Sequence, residues 1–306
     1  MIGIGLDITR VAGVSLVPPL GSNSMPFSLF AAGEQGMLFE PKGGSLNPTA
    51  FTDTIRTITA ASGDGVGGLT DLSGRGNHAS QATAAARPTF QTTPNRMTVD
   101  KVDDRMTVTV PVGGFTGTMV LATNQGTASY GVTIPAGAYD IGGRGGLYFP
   151  GTAIVGQLIR NGALSTQEAA KAEAHFVANG ATASYGAVTN FGEFWFNWSE
   201  LTSFPLIDTS AGTSFSYAWQ NCSSITSFPA NAFDGIAGGD FTGAFTNTAL
   251  TQTSIDNILV SLVASGIAAG ARVFDQSGGS APSATGEAAI TTLRSRGWTV
   301  TVTGGF

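Results

Sequence analysis

The sequence predicts a mainly β chain in two parts, a short β-sandwich followed by a small stack of repeats with capping helices. Three observations predict it. Glycine fills 43 of 306 positions and charged residues only 11%, against about 7% glycine and about 25% charge in an ordinary soluble domain. Short β-prone runs recur between glycines over residues 45–155. From residue 191 a segment of the chain repeats itself at nearly constant spacing, which marks a stacked architecture.

Residues 1–30 read as an apolar arm in which Ile2, Ile4, Leu6 and Ile8 alternate with Gly and Asp as in a strand, until Pro18, Pro19 and Pro26 break it. Its apolar surface is too small to fold alone, so the arm is expected to dock on the body of the chain or on a larger assembly. A frayed terminus is the other reading. Residues 31–185 form the sandwich module, with strands at Met97–Val99, Met106–Val110, Thr118–Leu121 and Gly131–Ile134. A helix over 165–179 closes it. Ser165 and Glu168 make a capping box, Ala169–Val177 are helix formers and Gly180 is the stop.

Residues 190–306 contain the repeat. FGEFWFNWSELTSFP from Phe191 matches FSYAWQNCSSITSFP from Phe215 at a spacing of 24, and FTGAFTNTAL from Phe241 keeps Phe241, Phe245 and Asn247 at 26. Such spacings lie in the range of leucine-rich repeats, and three copies make a minimal stack. Ser254–Ser265 and Thr285–Arg296 read as helices and Trp298–Val302 as a strand, which together would cap the stack.

Charge excludes several function classes. A formal net charge of -6, with lysine only at 42, 101 and 171, offers neither the clustered cations that nucleic acid needs nor those an anionic membrane needs. One cysteine, Cys222, and two histidines, His78 and His175, argue against a disulfide framework or a zinc site. Cys222 is expected as buried filler. The N-terminus has no cationic segment before an apolar one, and the reading expects no cleaved signal peptide.

Two stretches carry a family resemblance. FAAGEQGMLFEP (Phe30–Pro41), LTDLSGRGNHASQATAAARPTF (Leu69–Phe90) and VDKVDDRMTV (Val99–Val108) together resemble the start of a concanavalin-like, laminin-G-like jelly-roll module of tailed-phage virion proteins. GQLIRNGALSTQEAAKAEAHFVANG (Gly156–Gly180) is similar to the helical tail that closes that module. LTSFP…AWQNCSSITSFPANAFDG, with SIDNILVSLVASG and LRSRGWTVTVTGG, resembles a divergent leucine-rich-like repeat of bacterial-surface and phage-fibre proteins. The resemblances imply a virion surface protein, a fibre or spike component that binds the host. Its expected partners are other virion proteins through the arm and a host glycan or protein through residues 190–306. A homo-oligomer, by preference a trimer, is expected, with no nucleic acid and no membrane. A capsid decoration or baseplate protein without a receptor role is the alternative, and a polysaccharide depolymerase the third.

Catalytic constellations are weak. Glycoside hydrolysis needs two carboxylates about 5–10 Å apart across a groove, whereas Asp103 and Asp104 would face opposite ways on a strand. Asp71 and Asp234 sit beside glycine-rich turns, where Asp caps backbone. His175 falls on the Ala-rich helix and His78 in a turn. Ile141–Phe149 superficially looks like a phosphate loop without its Lys-Ser/Thr ending and reads as a hairpin. The chain is expected not to be an enzyme and to need no cofactor, with a structural calcium ion left open. The binding signal is aromatic. If the repeat is a strand, Trp195, Asn197, Ser199 and Leu201 face the core, and Phe194, Phe196 and Trp198 face outward, beside Tyr217 of the next copy. Exposed aromatics would suit sugar rings or a protein partner; the slightly favoured alternative is that the first repeat is terminal and packs these side chains on the preceding module. Asn197, Asn221 and Asn247 read as a hydrogen-bond ladder inside the stack.

Overall fold

The computed structural model describes residues 29–30, 32–44, 47–100, 102–141, 153–236, 238–268, 270 and 272–306. The docking arm with Ile2, Ile4, Leu6 and Ile8, and most of the hairpin expected at Ile141–Phe149, lie outside the described residues. The chain is mainly β, 29% strand and 17% helix. In order the strands are β1 (Gly36–Phe39), β2 (Ala50–Phe51), β3 (Gly68–Leu69), β4 (Ala79–Ser80), β5 (Thr89–Gln91), β6 (Arg96–Thr98), β7 (Met106–Val110) and β8 (Phe115–Thr123). Then come β9 (Thr127–Ile134), β10 (Gly137–Ile141), β11 (Ala153–Asn161), β12 (Leu201–Ser203), β13 (Phe241–Phe245), β14 (Arg272–Gln276) and β15 (Trp298–Thr301). Three α-helices, α1 (Thr166–Ala178), α2 (Gln252–Ala264) and α3 (Ala284–Ser295), complete the described chain.

Two antiparallel sheets make the first part. One runs β12-β9-β8-β11-β6-β5, with β1 also on β11; the other runs β10-β7-β4-β3-β2. Alternation explains how they meet. Met106, Val108 and Val110 of β7 share one core with Phe115, Met119 and Leu121 of β8 and with Ala128, Tyr130 and Val132 of β9. The opposite parity of β8, Val120 and Ala122, packs on the far face under α1 with Val155, Leu158, Ala172 and Phe176. There Gly156 is obligatory, because a Cβ at that position would lie 2.1 Å from the Phe176 ring.

The capping box forms as expected. Ser165 Oγ accepts from the Glu168 amide, and the Glu168 carboxylate accepts from the Ser165 amide at 2.8 Å. Hydrogen bonds from the Ser165 amide and hydroxyl, with Arg160 beside it, hold the Glu168 carboxyl down at about 2.

The second part is not separate from the first. β12 pairs with β9, so the larger sheet crosses the boundary expected between residues 185 and 190. One hydrophobic core extends from Met37 in β1 to Val302 beyond β15. The chain ends in a parallel sheet, β13-β14-β15, with α2 and α3 as its crossovers. These helices and β15 match the expected closing segments to within two residues. No helix among the described residues is long and apolar enough to cross a membrane.

Candidate binding face of the repeat stack

The repeat is not a strand over most of its length. Within each rung alternate amides close tight turns: Phe194 N–H donates to the Phe191 carbonyl, Trp198 to Trp195, Gln220 to Tyr217 and Cys222 to Trp219. The intervening amides reach the next rung, Phe191 to Ser214, Trp195 to Ala218, Phe215 to Asp240 and Trp219 to Ala244. Two positions per rung take positive φ. They are Glu193 and Asn197, then Tyr217 and Asn221, then Gly243 and Asn247, all between 58° and 61°.

This backbone replaces period two with another rule for what faces inward. Phe191, Phe194, Trp195 and Trp198 are buried, and so are Phe215, Ala218, Trp219 and Cys222, then Phe241, Ala244, Phe245 and Thr248. The spacing is i, i+3, i+4, i+7. Rungs approach at the ~4.8 Å of neighbouring strands, so identical positions form columns. Phe191 stacks on Phe215 at 5.0 Å and Phe215 on Phe241 at 4.7 Å. Trp195, Trp219 and Phe245 follow at 5.1 and 4.8 Å, and Phe204 on Phe228 at 4.9 Å. The Asn ladder forms as expected: Asn221 Nδ2 donates to Asn197 Oδ1 at 2.6 Å and Asn247 Nδ2 to Asn221 Oδ1 at 3.0 Å.

The expected outward trio is therefore corrected. Phe194 and Trp198 are only 7% and 4% exposed, because parity describes an extended backbone and the turn-built rung sends them inward. Trp198 lies 5.1 Å from Tyr130 of β9, and Trp195 Nε1 donates to the Tyr130 hydroxyl at 3.3 Å, so the first part itself covers the first rung. Tyr130 bonds in turn to Tyr185 at 3.0 Å; burial pushes the Tyr130 phenol up to about 12 and raises that of Tyr185 as well. Phe196 is half-buried. Tyr217 alone of the four is exposed, at 39%.

Tyr217 stands in a polar setting. Its ring lies over Gly243, where a Cβ would come within 2.5 Å of it. Before it along the rung, the Asp240 carboxylate accepts from Ser216 Oγ at 2.6 Å and from Thr242 Oγ1 at 2.7 Å. Burial works against ionisation of Asp240, but these hydroxyls and the Thr242 amide outweigh it and hold the carboxyl below its ordinary range. After it come Gln220 and the Asn ladder. Away from it, a groove of about 620 Å³ runs between α1 and β12 and is lined by Thr118, Ser129, Leu164, Thr166, Thr202 and Ser203 among others.

The remaining sequence-picked residues have structural employment. Asp71 accepts from the Leu38, Ser73 and Asn77 amides at 2.8–2.9 Å, clamping its turn to β1, and His78 Nδ1 accepts from the Asp71 amide. Asp234 accepts from Ser261 Oγ of α2 at 2.6 Å. Cys222 is fully buried as expected, with its thiol pushed up by burial. Asp103 and Asp104 lie in a turn before β7 rather than on a strand, and Asp104 accepts from the Asp100 amide at 2.9 Å. Their ligand atoms and that of Asp100 fall within 4.8 Å of one another, the one such acidic group among the described residues.

Two features were not legible beforehand. Glu40, buried at the end of β1, bonds His175 of α1 across 135 residues and pairs with Lys42 at 3.1 Å. Burial raises the Glu40 carboxyl, but the hydrogen bond and charge of His175, with Lys42, outweigh it and leave the group below its ordinary value. Glu173 and Asp208 line one cleft of about 200 Å³ with Tyr185 and Ser184. Glu173 accepts from Ser129 Oγ at 2.6 Å, and hydrogen bonds from Ser210 hold Asp208 in its ionised form. No protein-family model, curated protein or solved structure matches the chain, so its function is argued from its own residues.

Proposed function

We propose that the chain is a phage virion protein, a fibre or spike component on the virion surface that binds the host without catalysis. In this reading the first part is a jelly-roll-like module, residues 190–306 are a leucine-rich-like solenoid with capping helices, and the arm over 1–30 docks on other virion proteins. The observation that carries it is the unbroken aromatic core from Tyr130 through the Trp195–Trp219–Phe245 column. A core of that kind leaves no hinge between the two parts, which suits a passive, load-bearing projection better than an enzyme that must close on substrate. The charge-poor, Thr- and Asn-rich surface supports contact with neutral envelope chemistry. Several copies in a homo-oligomer, by preference a trimer, would multiply weak contacts into avidity.

An assembly role as capsid decoration or baseplate protein shares most of this support and differs in what covers residues 190–306. The depolymerase reading draws on one observation, the Glu173 and Asp208 carboxylates in a single cleft. Virus particles assembled without the chain test all three. Adsorption to host cells is expected to fall at least about tenfold, as loss of avidity implies. Unimpaired adsorption of intact particles would favour the assembly role, and oligosaccharide released from host envelope by the purified chain would favour the depolymerase.

A further inference from the structure

We infer that Tyr217 is the stacking platform of a site for a neutral hexopyranose on the outer face of the second rung, between Asp240 and the Asn ladder. The inference rests on the adhesion reading and deepens it by naming the ligand class.

Backbone strain is the first support. Tyr217 holds φ 58°, a region that costs a bulky L-residue about 1–2 kcal/mol. Its equivalents are Glu193 and Gly243, so the fold does not demand an aromatic there. The inward columns run through other positions, and Tyr217 takes no part in them. An aromatic kept at a strained position and left in solvent is the pattern expected of a functional residue.

Orientation is the second. Gly243 lies against one edge of the ring, and Tyr217 keeps 39% of its surface in solvent. A flat, open aromatic face matches the C–H face of a pyranose, while the ring hydroxyls of the sugar need donors and acceptors at the rim. The rim supplies both. Ser216 and Thr242 spend their protons on Asp240 and keep lone pairs to accept with; Gln220, whose Nε2 lies beside the Gly243 contact, offers an amide. A protein partner is the poorer fit, because a contiguous exposed apolar patch marks such a surface and the apolar neighbours Phe215, Ala218 and Trp219 are all buried.

The test uses the full-length chain, fluorescently labelled, on cells of the host, with Tyr217→Asn and Tyr217→Phe beside the wild type. Asn tolerates positive φ, so the first variant folds; circular dichroism checks it. Binding is expected to weaken about tenfold or more in Tyr217→Asn, as for loss of an aromatic anchor, and to persist in Tyr217→Phe. Periodate treatment of the cells, which cleaves vicinal diols, should abolish binding, and protease treatment should leave it intact. Saturation-transfer NMR with the methyl pyranosides of glucose, galactose and mannose should show transfer to C–H protons of at least one, lost in Tyr217→Asn. Cell binding unchanged by Tyr217→Asn, or sensitive to protease and not to periodate, overturns the sugar site while leaving adhesion standing. No binding of the wild type to host cells overturns the adhesion reading itself.

Discussion

In the two antiparallel sheets of the first part, strands send every second side chain inward; in the repeats, rungs built of tight turns send in positions i, i+3, i+4 and i+7. Register follows from different sources. Between β8 and β9 it is fixed by backbone pairing and by alternation, since a slip of one residue would turn Met119 and Leu121 out of the core. Between rungs it is fixed by like meeting like, Trp on Trp, Phe on Phe and Asn on Asn, with each rung depending on its neighbours. The contrast teaches that one charge-poor composition supports two packing rules, and that only the backbone conformation decides which rule a stretch obeys.

The sharpest way to break the comparison is in the middle of a column. Trp219→Ala removes a fully buried ring that stacks on both sides, and should cost about 3–5 kcal/mol by urea denaturation. A loss below about 1 kcal/mol would mean that the columns do not hold the stack. In the first part, Glu40 should behave as the buried member of an ion pair does, with Lys42 at 3.1 Å and His175 bonded to it. Glu40→Ala is expected to cost about 3–5 kcal/mol at neutral pH. Because the folded carboxyl titrates below its unfolded value near 4.5, its contribution is complete above that pH and is lost as pH falls through the folded value. The gap between wild type and variant, followed by urea titration, should therefore narrow as pH falls below about 4.5.

A finer cut separates ladder from backbone within one rung. Asn221→Ala loses two side-chain amide hydrogen bonds and puts at φ 61° a residue without asparagine's tolerance of that region, together about 2–4 kcal/mol. Asn221→Gly loses the bonds without the strain, offset in part by the freer unfolded backbone of glycine, and should cost less than Asn221→Ala, about 1–2 kcal/mol, by thermal melts. The smallest effect belongs to the sandwich helix. Ser165→Ala should cost about 1 kcal/mol and raise hydrogen exchange in the first turn of α1 without touching the stack.

How much of this was legible depends on how local the cause is. The capping box of α1, the alternation of β7 and the closing helices are written in neighbouring residues, and each lies where the pattern put it. The repeat was legible as spacing, and the Asn ladder followed from Asn197, Asn221 and Asn247 recurring in step. The facing of Phe194 and Trp198 was not, because parity presumes an extended chain. The signal that could have corrected it is Phe191, Phe194, Trp195 and Trp198 at i, i+3, i+4, i+7, with Asn, a residue tolerant of positive φ, at Asn197. Glu40 meeting His175, and Trp195 meeting Tyr130, join residues 135 and 65 positions apart; nothing local announces such pairs.

The central claim is that the two antiparallel sheets and the repeats share one core. Scanning calorimetry of the full chain tests it most directly, with Tyr130→Ala as the cut at the junction. The account predicts a single transition whose calorimetric and van't Hoff enthalpies agree, shifted as a whole to lower temperature in the variant. Two separable transitions in the wild type, with Tyr130→Ala moving only one of them, would contradict it.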